Sequence, residues 1–143
     1  MSEGAPTAVV QRVIGAPPEV VYDEWLDEAA LLEFMAPEDS PAREVECDPR
    51  VGGRLRIVLV GADSVVQTSG EYLELDRPHR LSFSWNGEYG GGFSSVVTVT
   101  LEPHGSEETL MTIEHTRLPP DEVRPHENGW ARIARHLDER LRA

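Results

Sequence analysis

The last stretch of the chain, Pro119 to Ala143, constrains the fold more than any other. From His126 onward, His126, Trp130, Ile133, Ala134, Leu137 and Leu141 recur at spacings of four, three, one, three and four. At about 100° per residue these positions share one stripe of an α-helix. Arg132, Arg135, Asp138 and Glu139 fall on the opposite side, where water is expected to solvate them. Asp121, Glu122 and Glu127 come early and Arg140 and Arg142 late, which suits the helix dipole. Pro119, Pro120 and Pro125 stand near the start, where a missing N–H is tolerated. The pattern does not choose between a start near Pro120 and one near Pro125. Upstream of this stretch the apolar residues mostly alternate with period two. An amphipathic helix after a run of strands needs a sheet to lie on.

Taken in order, residues 7–14 read as a first strand that Gly15-Ala16-Pro17-Pro18 ends. Glu19 to Leu26 predicts a short helix with Val21 and Trp25 on one face. Asp27 then serves as N-cap for a second, Glu28 to Phe34, before Pro37. Strands follow over 42–48, 54–60 and 65–76, the last expected to bend at Gly70. Leu81, Phe83 and Trp85 alternate with serines, the mark of a half-buried strand. Asn86 to Gly92 reads as a glycine-rich hairpin loop, and 95–101 and 109–115 as two more strands. The turn Asp48-Pro49-Arg50-Val51-Gly52-Gly53 carries glycines suited to positive φ. The order is β-α-α-β-β-β-β-β-β-α, an α+β helix-grip arrangement with a curved sheet around the last helix. One domain is expected over 1–143, its core running from about 8 to 141.

Charge narrows the partners. The chain carries 26 acids against 13 basic residues, a net charge of −13. The bases stand singly or in pairs, with no cluster to track phosphates, so nucleic acid and anionic membranes are not expected partners. Every basic residue is arginine, the usage a GC-rich bacterial genome gives. Cys47 is the only cysteine, so no intrachain disulfide can form. Met1-Ser2-Glu3-Gly4 lacks the basic and apolar regions of a signal peptide, and no apolar run approaches ~20 residues. A soluble cytoplasmic protein is the expectation.

Several motifs share one order. Ala16-Pro17-Pro18-Glu19-Val20-Val21-Tyr22 precedes Trp25, and Asp48-Pro49-Arg50-Val51-Gly52-Gly53 follows. Then come Gly70-Glu71-Tyr72-Leu73-Glu74-Leu75, Pro78-His79-Arg80-Leu81, Phe83-Ser84-Trp85, Val97-Thr98-Val99-Thr100-Leu101, and His126 with Gly129-Trp130. In this order the chain resembles the Hsp90 ATPase activator homologue-like branch of the START/Bet v 1-like (SRPBCC) superfamily, over about residues 8–141. Phe34 departs from the pattern, since the family often carries a second tryptophan there. The resemblance implies a seven-stranded antiparallel sheet wrapped round the last helix, with a cavity between them. That cavity holds lipids, sterols, hormones or polyketides in different members of the superfamily. The family name comes from a eukaryotic co-chaperone that carries a further N-terminal domain, so the name does not by itself give a function.

If the inward strand faces meet the helix stripe, Trp85, Val99, Met111, Ile113, Trp130, Ile133 and Ala134 line the space between them. Trp25 and Phe34 close it from the small helices, and Phe83 and Tyr72 lie beside it. These side chains either fill a close-packed core or line a mostly apolar pocket with a few polar groups. His115 and His126 are the polar candidates on the inward face, able to exchange protons or orient a carbonyl. Alternatively, His115 ends its strand in solvent and His126 serves the helix entrance. No metal site is expected from the five scattered histidines. Cys47 lies among acids that discourage a thiolate, and no Gly-x-Ser-x-Gly is present. Gly90-Gly91-Gly92 is not followed by the lysine-bearing helix of a phosphate loop. No catalytic residue and no cofactor is implied. Gly129 inside the helix is expected to permit a close approach, so that leucine there would destabilise the fold.

The leading expectation is a non-enzymatic binding protein for a small hydrophobic molecule. Two alternatives stand beside it: a cyclase/aromatase- or hydratase-like enzyme using His115, His126 or Tyr72, and a co-chaperone-like interaction module. A homodimer through the sheet edges stays open.

Overall fold

Pro17-Pro18 turns the chain after its first strand, and the elements on either side follow from that break. The computed structural model describes residues 7–35, 42–60, 65–87 and 94–143. Strand β1 runs Thr7–Ile14. Helix α1 spans Pro18–Glu24, with proline in its first turn where the absent N–H costs nothing. Helix α2 spans Glu28–Phe34, and the Asp27 carboxylate accepts the Ala30 N–H at 3.2 Å as its cap. The meander is β2 (Ala42–Cys47), β3 (Arg54–Val60), β4 (Val65–Asp76), β5 (Arg80–Gly87), β6 (Ser94–His104) and β7 (Glu108–Thr116). A 3-10 turn at Pro120–Glu122 leads into α3, Val123–Arg142. The glycine-rich stretch expected as a hairpin loop lies outside the described residues from 88 to 93.

All seven strands form one antiparallel sheet in the order β1-β7-β6-β5-β4-β3-β2. Side chains directly opposite in an antiparallel pair share a face. Register therefore sets rows across the sheet. One row is Ala8, His115, Val97, Phe83 and Tyr72, and each of these is at most 1% exposed. The next is Val10, Ile113, Val99, Leu81 and Leu75. Both rows face α3, whose Trp130, Ala134 and Leu137 are buried against the sheet. Burying such side chains contributes about 1.5–3 kcal/mol each for the larger ones.

The edge strands are covered from the side. The outward N–H of Val9 in β1 donates to the Glu127 carboxylate of α3 at 3.3 Å. The N–H of Cys47 in β2 donates to Glu28 of α2 at 2.9 Å. Each carboxylate occupies a donor that another strand would otherwise use.

Two expectations are corrected. Asp138 is not on a solvated face but 5% exposed. It accepts from Arg12 at 3.2 Å, from the Gly15 N–H at 2.9 Å and from Arg142 at 2.7 Å. Its burial follows from the crossing of α3 over the end of β1, which brings those donors to it. Gly129 does not mark a close approach: no atom lies within 4 Å of where its Cβ would stand. The pairing of β4 with β5 shifts register between Tyr72 and Glu74. Gly70 lies so close to β5 that a Cβ would overlap the Ser84 carbonyl. The start of α3 combines both readings, a 3-10 turn at Pro120 and an α-helix whose first turn contains Pro125.

Candidate functional site

Aromatic residues from five elements, α1, α2, β4, β5 and α3, meet between the sheet and α3. Trp25, at the C-terminal cap of α1, lies 5.2 Å from Phe34, 6.3 Å from Phe83 and 6.2 Å from Trp130, ring centre to ring centre. Trp85 lies 5.9 Å from Phe83 and 5.3 Å from Trp130. Tyr72 meets Phe83 edge-on at 6.2 Å. Such offset and edge-to-face pairs add about 0.5–1.5 kcal/mol each beyond the area they bury. Trp25, Phe34, Phe83 and Trp130 are buried, whereas Trp85, His126 and Ile133 are partly exposed. The partly exposed residues mark the side of the cluster nearest water.

The polar groups at one end form a closed chain. The indole N–H of Trp130 donates to His115 Nδ1 at 3.0 Å. An indole nitrogen only donates, so Nδ1 must be the accepting nitrogen. The ring proton is then on Nε2, which stands 2.7 Å from Ser95 Oγ and donates to it. Ser95 passes its own proton to the Trp85 carbonyl at 2.8 Å. Burial, with a smaller contribution from nearby His126, pushes the His115 pKa down to about 3. A proton on Nδ1 would face the Trp130 N–H head-on. His115 is thus a neutral connector with both nitrogens engaged, and it is wholly buried rather than ending its strand in solvent.

His126 stands perpendicular to His115, with ring centres 4.9 Å apart. Its Nδ1 lies 2.8 Å from the Glu122 carbonyl and donates to it. The Glu122 carboxylate is 3.5 Å away. The two histidines meet as the inward face required. Because both nitrogens of His115 are engaged, His115 is not the base of the pair.

At the α1 end the bonds run to backbone. Tyr72 Oη donates to the Trp25 carbonyl at 3.2 Å and stands 3.0 Å from Cys47 Sγ. Cys47 Sγ is also 3.4 Å from the Leu26 carbonyl. Burial raises both the Tyr72 phenol and the Cys47 thiol above their ordinary values, which keeps them protonated. Three strand spacings, ~14 Å, separate Tyr72 from His115 along their shared row. Tyr72 therefore serves to hold α1 and is no partner of the histidines.

Trp25 itself presents the one buried side-chain donor without an acceptor among the described residues, its indole N–H. The side chain is 1% exposed. Leaving such a donor unmatched costs about 1–3 kcal/mol. Arg140 of α3 pairs with Glu24 of α1 and Glu33 of α2, both at 2.6 Å, and ties the small helices to the long one.

The remaining expected residues sit deeper. Val99 and Ile113 belong to the second row and Ala134 packs beneath it. Met111 lies four residues, ~14 Å of strand, from His115. These fill the core beyond the ring cluster. Ser95 was not among the expected site residues, although its parity with Val97 and Val99 places it on the inward face. No group of three His, Cys, Asp or Glu side chains among the described residues could hold a metal ion. No helix of the described residues is long and apolar enough to cross a membrane.

Comparisons with known proteins agree with this architecture. A search of curated proteins finds no match. Protein CV1439 from Chromobacterium violaceum is 26% identical, with a TM-score of 0.82 over 96% of this chain and 98% of its own. The AHSA1 protein SPO3351 from Silicibacter pomeroyi is 25% identical, with a TM-score of 0.81 over 95% and 97%. Protein MLL2253 from Mesorhizobium loti is 27% identical, with a TM-score of 0.74 over 95% and 96%. The family model for Activator of Hsp90 ATPase homolog 1-like protein matches residues 15–142. With nearly the whole chain matched and the helix-grip sheet in place, the protein belongs to the Activator of Hsp90 ATPase homolog 1-like family.

Proposed function

We propose that the protein binds a small hydrophobic molecule against the ring cluster between the sheet and α3, without transforming it. The observation that carries this reading is the closed chain Trp130–His115–Ser95–Trp85 carbonyl. It spends the polar groups of an otherwise aromatic site on positioning its own walls. A rigid apolar wall with few convergent polar groups suits recognition of a guest. His115 is held neutral far below the range that acid–base catalysis near neutral pH would need of it. Trp85, His126 and Ile133, being partly exposed, give the side by which a guest enters. The guest takes its place by parting these rings from Trp130.

Native mass spectrometry of the chain purified from its own host, beside a denatured control, tests the proposal. The expected result is an added mass lost on denaturation and diminished in Trp85→Ala. A bare chain, together with no saturable change in tryptophan fluorescence on titration with 2-acetylnaphthalene, would contradict it.

A further inference from the structure

The two buried indoles of the cluster differ in one respect. Trp130 gives its N–H to His115 at 3.0 Å, whereas the Trp25 N–H has no acceptor among the described residues. The rings around Trp25 are those of Phe34, Phe83 and Trp130, none of which offers a lone pair in the manner of a carbonyl. The backbone carbonyl of Trp25 is already taken by Tyr72, so α1 is anchored while the side-chain donor stays unused. An indole donates and never accepts, so the complement of this position is an acceptor atom.

We propose that the guest is a neutral ring compound bearing a carbonyl or ether oxygen, and that the Trp25 N–H receives that oxygen. This rests on the binding reading above and specifies the class of molecule bound. A cation has no lone pair for the donor. An anion would have a single neutral donor to replace its hydration, because Arg12, Arg140 and Arg142 are held by Asp138, Glu24, Glu33 and Glu108. The chain's net charge of −13 also repels it. A flat apolar ring matches the offset and edge contacts that the cluster already makes.

The test uses 2-acetylnaphthalene and 2-ethylnaphthalene, which differ by a carbonyl in place of a methylene. Their dissociation constants are measured for the wild-type chain and for Trp25→Phe. The ratio of ketone to hydrocarbon affinity is expected to fall about tenfold in the variant, the factor one neutral hydrogen bond supplies. An unchanged ratio, with both probes bound, overturns the assignment of Trp25 and leaves the binding reading standing. If neither probe binds, the binding reading fails and this inference with it.

A second measurement needs no substitution. In the 15N-labelled wild-type chain, 2-acetylnaphthalene is expected to move the Trp25 indole N–H resonance downfield, while 2-ethylnaphthalene does not. A resonance that both probes leave unmoved overturns the proposal in either of two ways. An upfield position means donation to the Phe34 ring face, and a downfield one means a buried water already holds the donor.

Discussion

Trp130 and Trp25 sit 6.2 Å apart in one cluster, yet their surroundings have opposite characters. Around Trp130 every polar atom of the chain is matched, from the indole through His115 and Ser95 to the Trp85 carbonyl. Around Trp25 the backbone is pinned by Tyr72 and the side-chain donor is left over. The first end is built as a wall, because any change there strands a buried donor or acceptor. The second end keeps an unspent interaction, which folding alone does not reward and a guest can use. The same residue type thus serves stability at one position and recognition at another, and the difference lies in what stands opposite the nitrogen.

The largest expected effect comes from breaking the matched end. His115→Leu leaves the Trp130 N–H and the Ser95 hydroxyl without their partner, and should cost about 2–4 kcal/mol in urea unfolding at pH 7. His115→Gln can accept from one side and donate to the other, so it should lose less than half as much. The two indoles should also part company in stability. Trp130→Phe removes ring volume and strands His115 Nδ1, at about 2–3 kcal/mol. Trp25→Phe removes similar volume together with an unmatched donor, so its net change should stay within about 1 kcal/mol. Equal losses for the two substitutions would erase the distinction between the ends.

Acidity sharpens the same comparison. The unfolded chain protonates His115 near its ordinary value of 6.5, while the folded chain holds it neutral down to about 3. Between those values the unfolded state binds the extra proton, so stability falls as pH falls. From pH 6.5 to 5 the loss from this group is about 2 kcal/mol, at ~1.4 kcal/mol per pH unit. It is the difference between the wild-type and His115→Gln unfolding curves over that range. The smallest change lies outside the cluster: Gly129→Ala, in open space within α3, should raise stability by about 1 kcal/mol, read from the denaturation midpoint.

The scaffold was legible wherever local chemistry decides. Period-two alternation placed Phe83, Val97, Val99, Ile113 and His115 on the inward face, and the register aligns them in rows. The stripe through Trp130, Ala134 and Leu137 faced the sheet as its spacing required. Asp138 misled because its charge argued for water, although it is four residues beyond Ala134 on the flank of the buried stripe. Its partners Arg12 and Gly15 lie more than 120 positions earlier in the chain, and only the crossing of α3 over β1 joins them. The histidines were identified as neighbours, but the state of His115 depends on Trp130 Nε1 and Ser95 Oγ reaching its two nitrogens, which no spacing reveals. The unmatched Trp25 donor is likewise a property of three-dimensional surroundings.

The most direct measurement is a crystal structure of the full chain grown with 2-acetylnaphthalene. The account predicts the naphthalene ring between the sheet and α3, against Trp25, Phe83 and Trp130, with its carbonyl oxygen about 3 Å from Trp25 Nε1. A cluster with its rings still in contact, and the probe absent or held on the outer surface, would contradict it.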